Sequence, residues 1–280
     1  MVANYSDAKG SVTAVGYGVP ASSSFAAALW GAEGAAATQS ASVGASNSLL
    51  GLAEGGSFAA YGTKLSGDTR LAIAWSQTER PGSSLSQSTN AADASATMVG
   101  LTTTVTPAWK AGISVGMLDE HDGMLGSTYA HSPVSFGKSN SSAAVGISSA
   151  VKLSSRWDLM VDASVVRTNG SAVNDSLITN VSEIYARSYG ASLVTHDAAQ
   201  PGDHVSFGVK APLRVMSGSA TLTTNGVDAD GYATVASTKV GLTPSGEELK
   251  LQAHYDAPEK DGLSWHAALE ASKDAGNVAD

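Results

Sequence analysis

Residues 121–123 read His-Asp-Gly, and a serine is never far away in this chain, so nucleophilic catalysis by a Ser, His and Asp constellation is the first chemistry to test. Such a triad works only when the three groups converge in space, and serine is so common here that proximity in sequence says almost nothing. His121 also falls in a stretch that reads as a hairpin loop. His254 and His266 lie on the polar faces of two adjacent predicted strands, an arrangement from which a cross-strand pair could ligate a metal, yet neither has a second carboxylate at a fixed spacing. The carboxylate clusters at Asp119–Gly123 (DEHDG) and Asp228–Gly231 (DADG) resemble calcium loops only in their acidity; both lack the twelve-residue ligand pattern and its closing Glu, and read as polar turns. No catalytic, cofactor-binding or metal-ligating residues are assigned on this reading.

The elements that would carry these residues are strands. Period-two alternation pairs Ser57–Leu65 with Thr69–Gln77 across the turn SGD, with Leu71, Ile73 and Trp75 on one face. Ala96–Val105 returns through TPA into a strand whose one side is Trp109, Ala111, Ile113, Val115 and Met117. Val145, Ile147, Val151 and Leu153 climb to SSR, and Trp157, Leu159, Val161, Ala163 and Val165 descend from it. The second half continues with Glu183–Thr195, the turn HDAAQPGD, and Val205, Phe207, Val209, Ala211, Leu213 and Val215 on one face. Weaker strands cover Ser219–Thr224 and Ala233–Leu242; then come Leu249, Leu251, Ala253 and Tyr255, and after APEKDG come Leu263, Trp265, Ala267 and Leu269. Ala21–Leu52 is alanine-rich and fits a helix or a loosely patterned strand. Pro212, inside an otherwise regular strand, removes a ladder hydrogen bond and belongs at a bulge, a bend or an edge.

Roughly twelve strands joined in sequence predict an all-β fold, an antiparallel up-and-down barrel over 56–280, with 1–55 as an N-terminal linker, helix or plug. Lipid offers no hydrogen-bond partner, so a membrane barrel must pair every backbone group. Tyr61, Trp75, Trp109, Trp157, Tyr255 and Trp265 sit near strand ends, where they serve either as interface anchors or as packing in a sandwich core.

Composition narrows the partners. Charged residues are only 15%, and 16 Lys and Arg against 25 Asp and Glu give a net charge of −9 without a basic stripe, which argues against nucleic acid. There is no cysteine, hence no disulfide or thiolate zinc site, which leans towards a place outside the cytoplasm. MVANYSDAKG lacks a basic and apolar leader, and no run of about 18 apolar residues occurs. Any export signal is expected upstream of residue 1.

From about Met117 onward the chain resembles the C-terminal β-barrel domain, related to autotransporter barrels, that follows many alphaproteobacterial subtilisin-like serine proteases. The likeness rests on GMLDEHDGMLGS at Gly116–Ser127, GDHVSFGVKAPLRVMSGSATL at Gly202–Leu222 and LTPSGEELKLQAHYDAP at Leu242–Pro258. It makes Gly202, Asp203, Pro212, Leu213, Arg214, Val215, Ser217, Gly218, Pro244, Ser245 and Gly246 the family-motif structural residues. The family usually continues past a DAGNVAD-like stretch into one more strand ending in an aromatic residue, so the resemblance implies a barrel lacking its final strand at Asp280. It implies a non-catalytic translocator or surface-anchoring domain at the outer membrane or cell surface, with no cofactor. Its partners would be outer-membrane lipid, the barrel assembly machinery and an upstream protease passenger that carries the catalysis; the subtilisin-like Asp, His and Ser motifs are not found in this chain. The alternative is a secreted structural protein that forms homo-oligomers by intersubunit strand pairing at an open edge. A third reading, an enzyme using the barrel interior, has no residue constellation behind it.

Overall fold

Alternating side chains force the chain into strands, and short polar turns pair each strand with the next. The computed structural model describes residues 2–8, 10–18, 21–31, 48–78, 93–128, 135–172, 176–258 and 265–279. Its elements are β1 (Val2–Ser6), β2 (Val12–Tyr17), α1 (Ala21–Trp30), α2 (Ser48–Leu52), β3 (Ser57–Ser66), β4 (Thr69–Gln77), β5 (Asp93–Thr106), β6 (Trp109–His121), β7 (Gly123–Met124), β8 (Ser127–Thr128), β9 (Ser139–Lys152), β10 (Trp157–Asn169), β11 (Ile178–Val181), β12 (Ile184–His196), β13 (His204–Ser217), β14 (Ser219–Val227), β15 (Ala233–Gly241), β16 (Leu249–Asp256) and β17 (His266–Lys273). One antiparallel sheet of twelve strands runs β1-β2-β3-β4-β5-β6-β9-β10-β12-β13-β16-β17, each strand beside its predecessor in that order. The all-β expectation therefore holds.

Three features differ from the sequence reading. Among the described residues the sheet is not closed into a barrel: β1 pairs only with β2 and β17 only with β16, so each keeps a free edge there, and closure needs two neighbours for every strand. β1 and β2, which lie within the 1–55 segment read as linker or plug, are the first two strands of the sheet. β14 and β15 leave it and form a separate three-stranded sheet with β11. Leu263 lies outside the described residues, as does 32–47 of the ambiguous alanine-rich stretch; the rest of that stretch is α1, Gly31 and α2.

The two ends of the sheet are unlike. Tight turns at 67–68, 107–108, 153–156 and 197–203 mark one end, and the connections holding β7 and β8, β11, and β14 and β15 mark the other. The faces are unlike too. Many inward positions of β3 to β5 are small, with Ala60, Ala72, Ala74, Ala94 and Ala96 buried beside the larger Phe58 and Met98, and α1 lies on them through Phe25, Ala26, Ala28 and Leu29. Leu49 and Leu50 of α2 complete this core, which Leu213 and Val215 reach from β13. Further round, the inward rows are hydroxyls that pair across strands: Ser142 with Thr168 and Ser164 with Ser188, both at 2.7 Å.

Candidate functional site

Large apolar side chains on this sheet point away from the core. On β6 the outward positions are Trp109, Ala111, Ile113, Val115, Met117, Asp119 and His121, with Ile113, Val115 and Met117 at 50, 50 and 61% exposure. Val145 and Ile147 on β9, Val161 and Val165 on β10, and Phe207 and Val209 on β13 continue the stripe as exposed residues. At about 3.4 Å per residue and a tilt of about 40°, Trp109 to Met117 covers roughly 21 Å along the sheet normal to its turns. That is close to the apolar band of about 25 Å seen on outer-membrane barrels.

Aromatic residues frame the stripe. Exposed Trp109, Trp157 and Trp265 stand at the tight-turn end, the last packed on Tyr255 with ring centroids 4.8 Å apart. Tyr17, Trp75 and Tyr185 stand exposed towards the other end. Beyond them the outward positions turn polar, with Asp93 and Asp119 and an Arg167–Glu183 ion pair. Of the six aromatics singled out in the sequence, Tyr61, Trp75, Trp109, Trp157 and Trp265 point outward and exposed rather than into a packed core.

The inner face is built to hold α1. The helix comes closest at Gly62, where a β-carbon would lie 2.0 Å from the Ala28 carbonyl oxygen, and at Gly100, where it would meet the Leu29 side chain at Cδ1, 2.8 Å away. The last carbonyls of a helix lack intrahelical partners, and side chains of the sheet supply them: Thr102 Oγ1 donates to Leu29 O at 2.8 Å and Arg70 Nη2 to Ala28 O at 3.3 Å. Arg70 Nη1 also donates to Gly10 O at 2.8 Å, tying the β1–β2 turn to the helix end. At the other end Glu54 Oε1 accepts from the Ser22 amide and hydroxyl at 3.1 and 2.8 Å. A cationic guanidinium at a helix C-terminus also complements its dipole.

The family-motif residues form two local groups. In the 197–203 turn the Asp203 carboxylate accepts from the amides of Ala198, Ala199 and Gln200 at 2.6, 3.0 and 3.0 Å. Burial pushes its pKa up, and these three bonds together with one from Tyr255 more than offset that, leaving it below the usual carboxylate value. Beside it, Gly202 takes a left-handed φ of 87° that favours glycine. In the second group Arg214 joins the two motif segments, since its Nε donates to Gly246 O at 2.6 Å and its Nη2 to Pro244 O at 3.2 Å. Ser245 Oγ accepts from the Ala279 amide, and Glu247, hydrogen-bonded by Arg187, has its carboxyl held below its ordinary pKa. Pro212 sits at the register shift where Arg187 faces Arg214 and Tyr189 faces Ala211, and β13 pairs with β16 only as far as Lys210. Leu213 and Val215 pack on the core, Ser217 faces Tyr185, and Gly218 abuts Ile184.

The chemistry-bearing candidates disperse. His121 faces Asp93 and Ser139 in the ladder at a strand end. Glu120 of the acidic DEHDG stretch turns inward to accept from the Leu125 and Gly126 amides, both at 2.7 Å, while Asp228 of DADG caps its own turn through the Asp230 and Tyr232 amides. His254 faces Ala268, and His266 bonds Asp256 instead. No group of three or more potential metal ligands gathers among the described residues. Sequence reasoning missed Arg70, Thr102 and Gly62, which only the path of α1 reveals, and the pair His196 and His204, which their symmetric placement about DAAQPGD foreshadows.

No protein-family model matches the chain, and neither a curated protein sequence nor a solved structure matches it.

Proposed function

We propose that this chain is a non-catalytic outer-membrane β-domain, the translocator or surface-anchoring part of an exported subtilisin-like protease whose catalytic domain lies upstream. The observation that carries the membrane half of this reading is the outward apolar stripe with aromatics at both ends and charges beyond them. A water-soluble sandwich hides such a face, because exposing it costs roughly 25 cal/mol per Å² of apolar surface. Lipid removes that cost. The protease half rests on the resemblance of the Gly116–Ser127, Gly202–Leu222 and Leu242–Pro258 stretches alone. In this reading α1 fills the inner face, and its anchorage by Gly62, Thr102 and Arg70 makes it a plug.

Lipid tolerates no unpaired ladder edge, so the membrane reading also demands a partner for the free edges of β1 and β17. Those same edges favour a second reading, a secreted protein that assembles when one copy's edge pairs with another's. One experiment separates the two. The purified chain is divided between plain buffer and detergent micelles, and both fractions are imaged by electron microscopy. Monodisperse folded protein in micelles, with aggregation in buffer, is the result expected of a membrane domain. A clean monomer in buffer refutes it, and ordered filaments in buffer transfer the function to assembly.

A further inference from the structure

At the tight-turn end, β12, β13, β16 and β17 place His196, His204, Asp256 and His266 in one cross-strand row. Asp158 of β10 joins it diagonally. His196 Nε2 lies 2.9 Å from Asp158 Oδ2, His196 Nδ1 lies 2.9 Å from His204 Nδ1, and His266 Nδ1 lies 2.5 Å from Asp256 Oδ1. The two facing rings are perpendicular, with centroids 4.8 Å apart. The row is one step beyond Thr195 and Val205, which pair with each other at the level of Trp157 and Tyr255, so it lies outside the apolar stripe.

Two imidazole nitrogens at hydrogen-bond distance hold a single proton between them: one donates and the other accepts. That contact exists when both rings are neutral, and it persists when one ring is charged. It cannot exist when both are imidazolium, because each Nδ1 then carries a hydrogen and the rings repel. We propose that His196 and His204 form a one-proton clasp that holds the β12–β13 hairpin end and springs apart when a second proton arrives.

Asp158 Oδ2 accepts from His196 Nε2, which leaves Nδ1 of that ring to meet His204. Around His204 stand Asp197 and Asp203 of the turn, Asp256 of β16 with His266 of β17 bonded to it, and His254 one row deeper on β16, its Nε2 buried without a hydrogen-bond partner. The three carboxylates favour a charged His204. Burial first, then the charge of His196, outweigh them and bring its pKa below the usual 6.5. A lowered folded-state pKa means that the clasp's stability is fully present above the unfolded value and is lost as pH falls through it towards the folded one. This inference concerns the rim alone and stands whether the apolar stripe meets lipid or not.

The test is NMR on ¹⁵N-labelled full chain, in whichever medium keeps it folded. The expected result is a through-hydrogen-bond coupling between the two Nδ1 nuclei near neutral pH, which vanishes on acidification. Over the same step the protection factors of the amides of residues 196–204 should fall about tenfold for each unit by which the closed clasp holds the second protonation below its open-state pKa. His204→Gln offers His196 an amide oxygen that accepts from the charged ring and an N–H that donates to the neutral one, and it cannot take the second proton, so its hairpin should stay protected in acid; His196→Gln serves as the reciprocal variant. A folded protein that shows no Nδ1–Nδ1 coupling at neutral pH overturns the clasp. So does acid opening of the hairpin that survives in both variants.

Discussion

Gly62→Ala puts one methyl group where α1 meets the sheet most closely. The added carbon would lie 2.0 Å from Ala28 O, 2.6 Å from its carbonyl carbon and 2.9 Å from its Cα. All three are backbone atoms, so no side chain can swing aside and the helix itself must retreat, by roughly 1.4 Å to restore ordinary contact at 3.4 Å. Overpacking of this kind costs about 1–3 kcal/mol. The retreat also stretches the bonds from Thr102 to Leu29 O and from Arg70 to Ala28 O, now 2.8 and 3.3 Å, beyond useful length, at about 1 kcal/mol or more each. The docked helix should therefore lose about 3–5 kcal/mol, which is roughly 150- to 4,000-fold in its docking equilibrium. Hydrogen exchange of the amides from Phe25 to Gly31 measures this directly. Gly51→Ala is the control, because its β-carbon meets nothing within 4 Å and it sits in α2, where alanine is the better helix former. If Gly62→Ala leaves the exchange of α1 unchanged in a folded sheet, α1 does not rest on the inner face as described.

Two further substitutions probe the outer face and the joined motif segments. Ile113→Lys should be close to neutral in aqueous buffer, since the side chain is already half exposed, but should cost about 2–4 kcal/mol in lipid near mid-membrane; equal unfolding free energies in the two media would argue against the apolar stripe as a lipid surface. Arg214→Lys keeps the charge but replaces the planar fork that bonds Gly246 O and Pro244 O, and should raise protease susceptibility around residues 244–248 several-fold while the rest of the sheet stays protected.

Much of this architecture is written in the period-two pattern. Thr69–Gln77 is predicted and found with the same ends, and the hairpins about SGD, TPA and SSR form as read, because tight turns and alternating faces leave a strand few other registers. What the pattern cannot convey is which face is inside. Ile113, Val115 and Met117 look like a core stripe in one dimension, and only the run of Ala60, Ala72, Ala74 and Ala96 opposite them, packed beneath α1, shows that the small residues are the buried ones. Nor does it convey sheet membership. β14 and β15 alternate like their neighbours, yet nearly every residue of β15 is exposed on both faces, and its pairing with β14 is set by a connection that leaves the main sheet. The Arg214 fork to Pro244 and Gly246 spans 30 residues or more and was visible only as two separate motifs.

The distribution of side-chain size around the sheet explains why α1 lies where it does. On β3, β4 and β5 the inward residues include Ala60, Gly62, Ala72, Ala74, Ala96 and Gly100, set among the larger Phe58, Arg70 and Met98, and they leave a trough where the helix backbone meets the sheet at Gly62 and the Phe25 and Leu29 side chains meet it at Gly100. On β13, β16 and β17 the inward positions carry Lys210, Lys250, Gln252, His254 and Glu270 instead, with Lys250 and Gln252 both bonded to Glu270 at 2.8 and 2.7 Å. Long polar side chains, some with buried heads such as His254 and Gln252, fill the inner space there and leave no apolar trough for a helix in that half. The outer face, by contrast, is mainly apolar from Ile73 on β4 to Leu251 on β16, interrupted on β12 by Arg187, which stands in the row of Val115, Val145 and Val165 and pairs with Glu247. An inner surface that changes from apolar to polar while the outer one stays mainly apolar is the reverse of a soluble sheet packed on one core. It is the arrangement expected where the outer face meets one uniform apolar medium and the inner face meets a helix on one side and water on the other.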